Sequence, residues 1–95
     1  MVYYVSMAYQ HNFPEGAIQH IEDRLYGLDI FSLGDLNAFI YNDDFTEKGL
    51  YNYLVGDISP EHLEQLVVLF FTKLPSKKNY PDDLTNWFKE RNIKA

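Results

Sequence analysis

The sequence predicts a mostly α fold: a compact domain of four to five helices preceded by one short N-terminal β-strand. Three observations lead there. Apolar residues recur at helical spacing in several segments, and Ser, Thr or Asn ahead with Gly behind brackets those segments as caps and stops. The length, 95 residues, makes one domain, 1–95. The alternative is an α+β fold with a small three-stranded sheet.

Residues 2–9, "VYYVSMAY", are rich in β-formers, end at the polar "QHN" and predict a strand. A lone strand is unstable in water, so it needs a partner within the chain or in another copy. A helical body is expected over 18–74. Its first helix opens at "NFPE", with Asn12 as cap, Pro14 in the first turn and Gly27 as stop; Ile18, Ile21, Leu25 and Leu28 share a face. A second starts at Ser32 with Asp35 three residues on, and Leu33, Leu36, Phe39 and Ile40 form its stripe. A third runs from the cap Thr46 to Gly56, with Phe45 and Leu50 placed as a hydrophobic staple. For these two segments the competing reading is a hairpin of 36–41 with 50–55, because "AFIY" and "LYNYLV" also suit strands.

The most apolar stretch, "LEQLVVLFFTKL" at 63–74, is expected to lie in a fourth helix opened by Ser59 and Pro60. Leu63, Leu66, Val67, Phe70 and Leu74 fall on one face, Val68 among the polar residues, and Leu69 and Phe71 at the borders. A helix apolar nearly all round is normally central. Leu66, Val67 and Phe70 are therefore expected in the core. After the connector "PSKKNYP", a last helix over 81–92 covers the spare surface with Leu84, Trp87 and Phe88. Asp82 and Asp83 in its first turn and Lys89 and Arg91 in its last suit the helix dipole.

Charge is unevenly spread. Residues 1–72 hold eleven acids against Arg24 and Lys48, whereas 73–95 hold three acids against six bases, and the whole chain is at −6. An acidic body repels phosphate and favours a basic partner. There is no Cys, so disulfides and thiolate metal sites are excluded. No stretch nears the roughly 20 apolar residues that span a bilayer, and the N-terminus lacks the features of a signal peptide. No membrane association and a cytoplasmic location are expected.

Thr46, Leu50, Tyr53, Leu54, Gly56, Ser59, Pro60 and Glu61 fall where the phage-repressor (Cro-type) helix-turn-helix domain has its recognition helix and the helix after it. The stretch resembles that family, which implies duplex DNA as ligand. The turn between Ile40 and Thr46 is about three residues longer than the family's tight one, and the preceding helix lacks the family's small residue. "SLGDLNAFIYNDDF", residues 32–45, also resembles the central motif of the YozE-like, sterile-alpha-motif-like helical domains, with Thr46 where that family has Pro. That family implies a compact helical domain and no assigned chemistry.

No catalytic motif is present. His11, His20 and His62 lack metal-ligand spacing, Ser32 and Ser59 are accounted for as caps, and the glycines form no phosphate-cradling loop. Neither an enzyme nor a cofactor is expected. A repressor-like helix here would present Glu47, Lys48, Tyr51 and Asn52, flanked by Asp43, Asp44 and Asp57, which is the wrong charge for phosphate. Protein binding therefore ranks above DNA binding. The expected function is a small acidic protein-binding module: a phage- or mobile-element-encoded inhibitor or regulator that docks on a basic surface of a nucleic-acid enzyme. The expected partner surface is an acidic rim of Asp43, Asp44, Glu47, Asp57, Glu61 and Glu64 interleaved with Tyr41 and Tyr51, since Tyr buries large area with a polar tip. A homodimer is a further expected partnership.

Overall fold

Val2–Tyr9 (β1) hydrogen-bonds to a strand on each side and organises the molecule. The computed structural model describes residues 1–72 and 80–93. Most of the expected connector, together with Lys73, Leu74, Lys77, Lys78 and Lys94, lies outside the described residues.

After β1 the described elements are Glu15–Tyr26 (α1), Ile30–Gly34 (β2), Asn37–Tyr41 (β3), Glu47–Val55 (α2), Pro60–Leu63 (α3), Leu66–Phe71 (β4) and Asp82–Glu90 (α4). The strands form one antiparallel sheet in the order β2-β3-β1-β4. The protein is thus α+β, which corrects the expectation of a mostly α fold with a single strand. The alternative of a three-stranded sheet is nearer, but its hairpin of 36–41 with 50–55 does not form: β3 pairs with β2 and β1, and 50–55 lies in α2.

The expected second helix is a strand pair. Ser32 and Asp35 are not a helix cap; Ser32 lies in β2, where its hydroxyl accepts from the Gly34 amide at 3.1 Å, and Asp35 lies in the turn. Gly34, Asp35 and Leu36 all have positive φ (89°, 45° and 63°), which folds the chain back tightly. A leucine there is strained by about 1–2 kcal/mol, and it is held because Leu36 is buried and its carbonyl accepts from the Met7 amide at 3.2 Å. The stretch that carries the YozE-like resemblance therefore runs through the end of β2, this turn and β3.

The expected helix over 59–74 is also corrected. Ser59 and Pro60 do open a helix, but it stops after one turn and the chain enters β4. Leu66, Val68 and Phe70 are half-buried, whereas Val67 is 56% exposed, so Val67 is not a core residue.

Two layers of helix use the two faces of the sheet. Tyr3, Val5 and Met7 on β1, with Ala38 and Ile40 on β3, pack against Ile21 and Leu25 of α1 and Leu50, Leu54 and Val55 of α2. On the opposite face Phe39 meets Leu84, Trp87 and Phe88 of α4, with Val2, Tyr4, Phe31 and Tyr41 around them. Residues 38–40 are buried in succession because β3 is covered from both sides, which removes the alternation that marks a half-buried strand.

Other helix signals hold. Gly27 and Gly56 end α1 and α2, although Pro14 and not Asn12 occupies the cap position of α1. The Thr46 hydroxyl accepts from the Gly49 amide at 3.0 Å. Thr46→Ala is expected to lower stability by about 1 kcal/mol, whereas Thr46→Ser should retain most of it; urea unfolding of the two variants measures the difference.

Candidate functional site

The acidic residues singled out from the sequence fall into two groups at opposite ends of α2. At its N-terminal end, Asp43 and Glu47 line a shallow concavity with Met1, Asn42 and Thr72. The Asn42 side chain accepts from the amides of Asp44 and Phe45 at 2.7 and 2.8 Å, an Asx turn that fixes the loop and leaves the Asp44 carboxylate in solvent. Asp43 bonds the Met1 ammonium and accepts from the Tyr41 hydroxyl at 3.4 Å. The hydrogen bond and charge of that ammonium hold the Asp43 carboxyl below its ordinary range.

At the other end of α2 lie Asp57, Glu61 and Glu64. The nine residues of α2 separate the groups by about 13 Å at 1.5 Å per residue. Asp57 is already engaged: the Arg24 guanidinium donates to it at 2.5 Å and to the Tyr53 carbonyl at 2.9 Å, and His20 Nε2 lies 3.6 Å away. Glu61 and Glu64 are exposed, and Glu64 borders a second concavity with Ala8, Tyr9, Gln10 and Val67.

The tyrosines separate as well. Tyr41 is half-buried against the α4 side of the sheet. Tyr51 is exposed on α2 and lines a groove with Glu47, Lys48, Val68 and Phe70 on the other side. The eight residues thus form no single rim within one molecule. Asp43 and Glu47 share a concavity with Asp44 next to them in the loop, Glu47 also shares a groove with Tyr51, Glu61 and Glu64 stand three residues apart in and just after α3, and Asp57 is tied to Arg24.

What joins the two ends is β4. Val67, Leu69 and Phe71 are 56%, 49% and 46% exposed, in one row on the face that carries α4. α4 sits over Phe39 on β3 and leaves this row in solvent, bounded laterally by Tyr4, whose ring lies 6.0 Å from that of Phe71. Thr72, the residue after the row, lines the concavity with Asp43 and Glu47, and Val67 at its start lines the one with Glu64. The exposed apolar area of the three side chains is on the order of 300 Å², comparable with the largest patch on a typical monomer.

A helical reading hides this row, because it sends Val67 to the core and Leu69 and Phe71 to the borders. The usable signal was the composition: six consecutive strand-compatible apolar residues bounded by Gln65 and Thr72, about the length of one strand.

Among the described residues no group of three His, Cys, Asp or Glu side chains could hold a metal ion, and no helix is long and apolar enough to cross a membrane. No protein-family model matches the chain, and no curated protein matches it.

Proposed function

We propose that the protein is a non-enzymatic protein-binding module whose docking surface is the β4 row of Val67, Leu69 and Phe71 with acidic residues at both ends. The observation that carries this reading is the exposure of three large apolar side chains in register on one sheet face. Single exposed apolar residues are ordinary on protein surfaces; a contiguous row framed by polar groups has the form of an interaction site. Asp43, Asp44 and Glu47 at one end and Glu61 and Glu64 at the other select a basic partner by steering its approach, while the apolar row slows release. In its finer form the partner is a nucleic-acid enzyme, which the protein inhibits or regulates by occupying the basic track for phosphate.

Capture from a lysate of the source cell, with wild-type and variant baits and mass spectrometry, tests this. Wild type should retain a basic protein. Leu69→Lys should abolish that retention, and reversal of the solvent-exposed Asp44 to Lys should slow association and weaken its dependence on salt without lowering the unfolding midpoint. Equal retention by all three baits would overturn the proposed surface. Enrichment of a defined sequence from random DNA duplexes would replace the reading with DNA binding.

A further inference from the structure

Resting on the reading of the β4 row as a docking surface, we infer that Tyr4 is its positioning residue. The Tyr4 ring holds the Phe71 ring in one orientation, so the aromatic end of the row is formed before a partner arrives. β1 lies between β3 and β4, and Tyr4 stands opposite Phe39 on one side and Phe71 on the other. Three aromatic residues in register therefore cross three strands in one line. Phe39 and Tyr4 pack with the cluster under α4, and Phe71 ends the line in solvent, 46% exposed.

Strand geometry sets how tightly each neighbour is held. Residues of an antiparallel pair alternate between hydrogen-bonded partners and closer partners without hydrogen bonds. The Met7 amide donates to the Leu36 carbonyl at 3.2 Å, which puts Tyr4 and Phe39 in a close pair. The Gln10 amide donates to the Gln65 carbonyl at 3.0 Å, which puts Tyr4 and Phe71 in a hydrogen-bonded one. The ring centroids agree, at 4.9 Å for Tyr4 and Phe39 and 6.0 Å for Tyr4 and Phe71. Phe39 is itself buried and edge-on to Phe88 of α4 at 5.3 Å. Tyr4 is thus gripped from the α4 side and offers its other side to Phe71.

Cross-strand support of this kind stops at Phe71. Leu69 stands opposite Ser6 and Val67 opposite Ala8, side chains too small to brace a neighbour. Ordering a free side chain at an interface costs affinity about two- to tenfold, which a braced ring avoids. Phe is also enriched at interface cores, whereas Val and Leu are seldom hot spots. Partner affinity should therefore depend on Phe71 more than on Val67, and on Tyr4 through Phe71. The Tyr4 hydroxyl only just reaches Asn37 Oδ1, at 3.5 Å, so the ring and not the hydroxyl carries the role.

Three-bond couplings that report the Phe71 χ1 angle, measured by NMR in the free protein, test the positioning. Wild type should show one rotamer. Tyr4→Val keeps a strand-forming residue and removes the ring; Phe71 should then average over rotamers while the β1 and β4 amides stay protected from exchange. Tyr4→Phe should keep the single rotamer. With the purified basic protein that the wild-type bait captures as probe, Tyr4→Val should bind about two- to tenfold more weakly than Tyr4→Phe, and Phe71→Ala more weakly still. Averaged couplings at Phe71 in wild type would overturn the inference. So would a single rotamer in folded Tyr4→Val, or equal affinity of Tyr4→Val and Tyr4→Phe. A wild-type bait that captures nothing would instead overturn the docking reading, and the Phe71 couplings would still decide the positioning.

Discussion

Leu54→Ala is expected to destabilise the fold by about 2–5 kcal/mol, the range for truncating a large core side chain. Leu54 is completely buried between α1, α2 and the sheet, in the cluster that includes Ile21, Leu25, Ile40 and Val5. Four of its neighbours come from elements fixed by sheet hydrogen bonds or by α1, so the space left by the lost isobutyl group cannot collapse freely. For a domain of this size the loss corresponds to a fall in melting temperature of roughly 10–30 °C. The matched control is Val67→Ala, expected within about 0.5 kcal/mol of wild type because the side chain is on the surface. Thermal unfolding by circular dichroism measures both. A loss at Val67 as large as at Leu54 would remove the exposed row and the docking surface proposed from it.

The second large effect is expected at Trp87. α4 is held to the sheet by Leu84, Trp87 and Phe88, with the Phe88 ring edge-on to Phe39 at 5.3 Å and Trp87 edge-on to Phe31 at 6.3 Å. The Arg91 guanidinium lies 4.2 Å over the Trp87 ring, donates to both Asp29 oxygens at 2.8 and 2.7 Å and reaches the Trp87 carbonyl at 2.9 Å. Removing the indole therefore takes away a buried ring and the platform that orients the arginine. Trp87→Ala is expected to cost about 3–5 kcal/mol. The loss should be local first: in hydrogen exchange the α4 amides should lose protection while β1 and β3, central in the sheet, keep theirs. Loss of protection at the same rate in α4 and β1 would mean that α4 and the sheet unfold as one unit.

The sequence by itself determined the elements whose instructions are local. The strand at 2–9 has the expected bounds, and α2 follows its Thr46 cap and stops at Gly56 as its residues require. α4 likewise carries Leu84, Trp87 and Phe88 toward the body, although the surface it covers belongs to Phe39 and its neighbours and not to β4. Tertiary structure decided the two segments whose local signals are ambiguous. Ser, Gly, Asp and Asn serve turns as readily as caps, so "SLGDLN" admitted a helix start until β3 found two strand neighbours. "LVVLFF" is apolar on every residue and thus compatible with both periods; pairing with β1 across some sixty residues of sequence made it a strand. The acidic and apolar residues of the candidate site were all visible in the sequence. Which of them stand together was not, because strand geometry sends Val67, Leu69 and Phe71 to one face and carries the acids of α2 and α3 to opposite ends of that row.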